Sequence, residues 1–191
     1  MKHLLLTTIA AVLMVGCGES QQSAPPVVKQ QSKPLSEADQ LLEAAASGNV
    51  ETVKTLLAAG VDVNGEEGWT PLHATVLNMK FYASNKGHKK IIELLLEKGA
   101  DVNSKMENGM TALHLSAWDH EKEIAELLIV NGADINAMNM GSQTPLDRAI
   151  QRIQGFYLLP PLDKDKLDSD IQSLLRKHGG KTGEELKAEG K

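Results

Sequence analysis

Few of the side chains that commonly carry chemistry stand close enough in this sequence to cooperate. A serine nucleophile needs a base within hydrogen-bond reach, but His114 and Ser116 are two positions apart on a predicted helix and do not face each other. Asp119, His120 and Glu123 are near neighbours, yet no His-Glu-x-x-His motif or cysteine pair supports a metal site. Nucleophile elbows and glycine-rich phosphate loops are also absent from the sequence. We therefore predict no catalytic site, no metal site and no cofactor.

An internal repeat predicts the secondary structure elements that position these side chains. The phrase Gly-Ala-Asp-Val-Asn at residues 99–103 returns as Gly-Ala-Asp-Ile-Asn at residues 132–136, a period of 33 residues. A looser copy, Gly-Val-Asp-Val-Asn, occupies residues 60–64. Apolar residues recur at helical spacing between the copies, as they do over residues 91–96 and 124–128. The pattern predicts an array of helical units that bury their apolar faces against one another.

A second phrase recurs in step with the first. Thr-Pro-Leu-His at residues 70–73 returns as Thr-Ala-Leu-His at residues 111–114 and as Thr-Pro-Leu-Asp at residues 144–147. The two phrases and their period resemble the ankyrin repeat, whose unit is a β-turn followed by two antiparallel helices. The resemblance implies an all-α solenoid of four helix-turn-helix units with short β-hairpin turns. The expected units form a domain over 36–182 and span about 36–68, 69–108, 109–142 and 143–182.

The resemblance also assigns structural roles to the repeated residues. Each threonine that opens the second phrase stands where a helix N-cap is needed, and each glycine that opens the first phrase ends a second helix. His73 and His114 are expected to hydrogen-bond between neighbouring turns. Asp147 replaces histidine in the last unit, where no following repeat is expected to need bracing.

Residues 1–16 are predicted to be a signal peptide. A short basic start precedes an apolar run over residues 4–15. That run is too short for a helix that spans a bilayer, which takes about 20 apolar residues, and it matches the core of a signal peptide. We therefore expect the chain to be exported.

Residues 13–17, Leu-Met-Val-Gly-Cys, resemble a bacterial lipoprotein box. The resemblance implies that Cys17, which is the only cysteine, carries acyl chains and becomes the mature N-terminus. The alternative is an ordinary secretory signal cut near Gly16 or Gly18, with Cys17 incidental. Residues 17–35 are rich in Gln, Ser and Pro and are expected to form a flexible tether behind the lipidated cysteine.

The charge balance narrows the class of partner. The chain carries 20 Lys and Arg against 25 Asp and Glu, and its formal net charge is −5. Binding to nucleic acid or to an anionic lipid surface relies on Lys and Arg. We therefore expect no nucleic acid partner and membrane contact only through the lipid on Cys17. The chain is expected to be a monomer that ends in a charged tail over residues 183–191.

Two units are longer than the period requires. The extra residues fall at about 77–86 and 154–168, between or within the two helices of the second and fourth units. Each insert contains a Phe-Tyr pair, whose tyrosines are Tyr82 and Tyr157. Because repeat insertions map to one face of a solenoid, the pairs are predicted to form a joint aromatic contact surface. The alternative is that each pair folds back over its own lengthened helix.

The resemblance places the usual binding surface on the turn tips and on exposed positions of the inner helices. Trp69, Met110 and Gln143 precede the three threonines, and Trp118 and Asp119 end the inner helix of the third unit. Exposed tryptophan and methionine are typical of interface cores. These five residues are therefore candidate partner contacts. The alternative for the two tryptophans is packing against neighbouring repeats.

These predictions combine into one function. We expect an exported, lipid-anchored protein that faces the periplasm of a bacterial cell envelope and binds an unidentified protein partner. Two alternatives stay open: an envelope enzyme with an unrecognised site, and a structural element that associates with itself.

Overall fold

A computed structural model describes residues 35–65, 68–78, 86–155 and 170–190. Over these ranges the chain forms helices joined by turns, and no strand. The predicted signal peptide, Cys17, Tyr82 and Tyr157 lie outside the described residues. The helices are α1 Glu37–Ser47, α2 Val50–Ala58, α3 Pro71–Asn78, α4 Lys86–Glu97, α5 Ala112–Asp119, α6 Lys122–Val130, α7 Pro145–Gly155, α8 Asp170–Lys177 and α9 Gly183–Ala188.

Helices α1 to α8 pack as successive pairs. The first helix of each pair contacts the first helix of the next, so α1, α3, α5 and α7 form an inner row. Among the second helices, α2 packs on α4 and α6 packs on α8. The predicted all-α solenoid of helix-turn-helix units is confirmed.

Repeated apolar positions build the core between the two rows. The leucine of the second phrase is at most 1 % exposed in each unit where it occurs, at Leu72, Leu113 and Leu146. The outer helices contribute residues four positions apart, which lie on one helix face and are buried, as Ile124 and Leu128 are in α6. Burial of each such side chain stabilises the fold by about 1.5–3 kcal/mol. Neighbouring repeats therefore depend on one another for their core.

The expected helix starts and stops are observed. Helices α3, α5 and α7 each begin at the residue after the threonine of the second phrase. The glycines that follow α2, α4 and α6 have φ between 86° and 89°, a backbone conformation that few other residues adopt without strain. We call residues 60–70, 99–111, 132–144 and 179–182 the first to fourth turns. The second and third turns are short hairpins, since Met106 N–H donates to Met110 O at 2.9 Å and Asn139 N–H donates to Gln143 O at 3.1 Å.

The last residue of the first phrase ties each turn to the next. The side-chain oxygen of Asn64 accepts a hydrogen bond from Asp101 N–H at 2.8 Å. The oxygen of Asn103 accepts one from Asp134 N–H at 2.7 Å. Successive turns therefore lie side by side along one edge of the solenoid, which we call the turn edge.

The end of the array differs from the expectation. Helix α9 follows the fourth turn, so part of the predicted charged tail is helical and buries Leu186, which is 4 % exposed. The Asp147 carboxylate accepts hydrogen bonds from Thr144 N–H at 2.9 Å and from Gly183 N–H at 2.8 Å. The expectation that Asp147 has nothing to brace is therefore wrong. Asp147 joins the last full repeat to the first residue of α9.

Candidate protein-binding surface

Trp69 lies in the first turn and is half-buried. Its ring stacks on the imidazole of His73, with the ring centres 6.3 Å apart and the planes 23° apart. His73 is fully buried, and its Nε2 lies 3.1 Å from the carbonyl oxygen of Ser104 in the second turn. Trp69 therefore packs within its own repeat on one side and keeps part of its surface at the turn edge.

Met110 occupies the equivalent position in the second turn. The residue is half-buried and packs against the core, while its N–H donates to the side-chain oxygen of Asn108 at 3.1 Å. Its carbonyl closes the hairpin of that turn. The backbone of Met110 is thus held in place, and part of its flexible side chain reaches the surface.

Gln143 takes part in contacts within the protein through both its backbone and its side chain. The carbonyl oxygen of Gln143 lies 3.0 Å from Nε2 of His114, so this contact joins the inner helix of the third unit to the third turn. The side-chain oxygen of Gln143 accepts a hydrogen bond from the Asn139 amide at 3.3 Å. Gln143 is half-buried, so any partner contact would share the residue with the hairpin.

Trp118 and Asp119 lie at the end of α5, away from the turns. Both are half-buried. The guanidinium carbon of Arg148, on α7, lies 4.1 Å from the centre of the Trp118 ring. This cation–π contact is worth about 0.5–1 kcal/mol where solvent reaches it. Arg148 therefore covers part of Trp118 from the next repeat, a contact that the candidate list missed, and burial lowers the pKa of Arg148.

Acidic side chains surround the start of α6, directly after Trp118 and Asp119. Burial raises the pKa of Glu121, and the nearby carboxylates of Asp119 and Glu123 raise it further. This end of the inner row therefore disfavours additional negative charge. Within the ranges that the structure describes, no three His, Cys, Asp or Glu side chains are grouped as a metal site would need.

His73 and His114, the histidines of the second phrase, hold neighbouring turns together and do not act as acid–base groups. Burial lowers the pKa of His114 to about 4 and outweighs its hydrogen bond to Gln143, and burial lowers the pKa of His73 as well. Both imidazoles are therefore neutral at pH 7. A neutral imidazole can accept from the threonine before it through Nδ1 and donate to the next turn through Nε2, which is the role the resemblance implies.

A cleft separates the first turn from the second. Its volume is about 730 Å³, and it is open to solvent. Residues of both turns line it, among them Asn64 and Thr70 from the first turn and Asp101, Ser104, Lys105 and Glu107 from the second. The sequence did not predict this cleft, because the width of a gap between turns depends on how the turns stack.

Paired helices, hydrogen-bonded turns and a 33-residue period define a solenoid of repeats, the class of protein that binds other molecules through a rigid surface. A family model described as ankyrin repeats in three copies matches residues 20–105, 41–139 and 80–159. These matches together cover more than half of the chain. The chain belongs to the ankyrin repeat family, whose members generally bind protein partners.

Several curated proteins are similar to part of this chain. The 2-5A-dependent ribonuclease of Mus musculus is 34% identical over 93 residues, which are 47% of this chain and 12% of the ribonuclease. Ankyrin repeat domain-containing protein 40 of the same organism is 38% identical over 66 residues, 33% of this chain and 16% of that protein. An ankyrin repeat-containing protein of Schizosaccharomyces pombe is 33% identical over 72 residues, 37% of this chain and 31% of its own length. The chain thus spans less than a third of each relative.

Where the chain is described, none of its helices combines the length and the apolar character that a membrane span requires.

Proposed function

We propose that this chain is an exported ankyrin-repeat protein that is anchored through a lipid on Cys17 and faces the periplasm of a bacterial cell envelope. There it binds another protein through the turn edge and the adjoining ends of the inner helices. The export and anchoring steps are supported by the apolar run over residues 4–15 and by the Leu-Met-Val-Gly-Cys sequence at residues 13–17, which overlaps its end. The protein is proposed to act as a monomer, with membrane contact through the lipid alone.

One observation supports the binding role more than any other. Trp69 and Met110 stand at equivalent positions of successive turns, and both are half-buried. Trp69 stacks on His73, whose Nε2 lies 3.1 Å from the Ser104 carbonyl oxygen, and the N–H of Met110 donates to Asn108. Aromatic residues and methionine are enriched in the cores of protein interfaces. Because hydrogen bonds close the hairpins of the second and third turns, a partner binds these turns without the entropic cost of folding them.

Photo-cross-linking in the native cells tests the binding role. A photoreactive residue is placed at position 69 or 110 on the turn edge, and at position 130 as a control. Val130 ends α6 and is 82 % exposed, so its side chain is accessible but lies on an outer helix. We expect a discrete protein adduct from positions 69 and 110 that is missing from position 130. Equal adducts from all three positions, or none from the turn edge, would reject the proposed surface.

The anchor has a separate test. Cys17→Ser removes the only thiol that can carry the acyl chains. We expect the variant to lose labelling by a radioactive fatty acid and to leave the membrane fraction. Cys17→Ala should give the same result. If the serine variant stays in the membrane fraction, the lipid anchor is ruled out.

A further inference from the structure

Four methionines lie close together in the second and third turns. Met106, Met110 and Met138 are half-buried, and Met140 is 80 % exposed. The two turns touch, because Met140 N–H donates to the carbonyl oxygen of Asn108 at 3.0 Å. We call these four residues the methionine patch. Met106 and Met110 also pack against the core, so the patch continues the apolar interior out to the turn tips.

Methionine side chains suit a surface that must fit an irregular apolar partner. They are unbranched and polarizable, and they adapt to differently shaped groups at little cost. An exposed methionine such as Met140 gains free energy when a partner removes it from water. The patch therefore favours a partner with apolar side chains.

The charge around the patch is mainly negative. In the described parts of the first three turns, the exposed acidic residues outnumber the basic ones by four to one. The acidic residues are Asp62, Asp101, Glu107 and Asp134, and the basic residue is Lys105. The ammonium of Lys105 donates to the carbonyl oxygen of Met138 at 3.3 Å, so its position is fixed between the turns. Charge complementarity therefore selects against an acidic partner and favours a basic one.

The cleft between the first and second turns provides a place for a long basic side chain. Two carboxylates, of Asp101 and Glu107, and one ammonium, of Lys105, line it, so its wall stays acidic on balance. The Lys105 ammonium already donates to the carbonyl oxygen of Met138. The volume of the cleft, about 730 Å³, exceeds that of any single side chain. The hydroxyl oxygen of Ser104 is buried beside it and has no hydrogen-bond partner among the residues that the structure describes. A lysine or arginine that enters the cleft would meet carboxylates and an available hydroxyl oxygen.

We infer that the methionine patch and the neighbouring cleft bind a basic protein segment that also carries apolar side chains. The inference rests on the proposed function and adds the chemical class of the partner. Leucine-like side chains of that segment pack on Met140 and its neighbours, and a lysine or arginine enters the cleft near Glu107. Neither a purely apolar nor a purely basic segment satisfies both parts of the surface.

Synthetic peptides of equal length test the class of partner on the full chain. One fluorescein-labelled peptide alternates Lys and Leu, the second alternates Glu and Leu, and the third alternates Lys and Ser. Fluorescence anisotropy should show the Lys/Leu peptide binding about tenfold or more tightly than either of the others, with an affinity that falls as salt is added. Equal binding by the Glu/Leu peptide, or no binding by the Lys/Leu peptide, overturns the inference.

Matched variants show whether the bound peptide occupies this surface. Met140→Gln changes an exposed residue of the patch, and Glu107→Lys changes an exposed residue of the cleft. As controls on α6, Val130→Gln also replaces an exposed apolar residue by Gln, and Glu126→Lys also replaces an exposed Glu by Lys. We expect Met140→Gln to weaken binding of the Lys/Leu peptide about threefold to fivefold and Glu107→Lys to weaken it about tenfold. The two α6 variants should leave the affinity unchanged. Equal effects at the two locations would overturn the inference, and circular dichroism confirms that all four variants fold.

The two proposals can fail separately. If position 110 still cross-links to a protein in cells while the Lys/Leu peptide does not bind, the inferred class of partner is wrong and the binding role stands. If the turn edge forms no adduct in cells, the binding role fails whatever the peptides do.

Discussion

Replacing Asp147 by histidine would restore the phrase of the earlier repeats, and we predict that it destabilises the protein. In the second and third units the phrase histidine faces a carbonyl oxygen of the next turn, to which Nε2–H can donate. In the fourth unit the group in that place is a donor, since Gly183 N–H points at the Asp147 carboxylate from 2.8 Å. Thr144 N–H points at the same oxygen from 2.9 Å.

The size of the effect follows from counting acceptors. A neutral imidazole has one acceptor nitrogen, and a protonated one has none, whereas two N–H groups converge on the Asp147 oxygen. Asp147→His therefore leaves at least one N–H without an acceptor beside Thr144 and Gly183, both of which are buried. An unpaired buried donor costs about 1–3 kcal/mol. For a chain of this size, each kcal/mol lowers the melting temperature by about 2–4 °C.

Thermal and urea denaturation followed by circular dichroism measure this cost. Asp147→Asn is the matched control, because an amide oxygen can accept from both N–H groups, and it should lose less than about 1 kcal/mol. If the histidine of the earlier repeats were stabilising at this position too, Asp147→His would unfold at or above the wild-type temperature, and that result would refute the prediction. A variant that lacks residues 181–191 shows how far the melting temperature falls when α9 is lost. The melting temperature of Asp147→His should not be lower than that of this variant.

Three further predictions concern the same scaffold. The folded-state pKa of His114, about 4, lies below its ordinary 6.5, so its contribution to stability is complete above pH 6.5 and is lost as the pH falls towards 4. Between pH 7 and pH 4.5, urea denaturation should show a loss of stability roughly 2–3 kcal/mol larger than in His114→Asn, and equal losses would contradict the assignment. Gly48→Ala would place Cβ 2.7 Å from the His88 ring, whereas Gly60→Ala meets nothing within 4 Å at a similar positive φ. The first should therefore cost clearly more than the roughly 1–2 kcal/mol of backbone strain that both share, and equal urea midpoints would argue against the contact. Ser142 has φ 55° where the second turn has Gly109, so Ser142→Gly should raise stability by about 0.5 kcal/mol, and a lower melting temperature would count against strain at this turn.

The candidate surface shows where prediction from the sequence stopped. Trp69, Met110 and Gln143 were placed at equivalent turn positions by the second phrase, because each lies directly before the threonine that opens it. The period did not reveal that Gln143 braces His114 or that Arg148 covers Trp118. Those contacts join residues about one repeat apart, and side-chain length and helix rotation decide which residues meet.

The sequence by itself determined the helices of the four repeats, their caps and the order of the repeats. These features depend on residues within a few positions of one another: a threonine caps the helix that follows it, a glycine ends the helix before it, and apolar residues three or four apart share a face.

Only the tertiary structure decided which residues of different repeats come into contact. Asp147 reaches the first residue of α9, 36 positions later, and the methionine patch forms where the second and third turns touch. Stacking brings these groups within contact distance, and the register of stacking depends on the whole row of helices and turns. For that reason the fold could be predicted from local patterns, whereas the surface that distinguishes this protein could not.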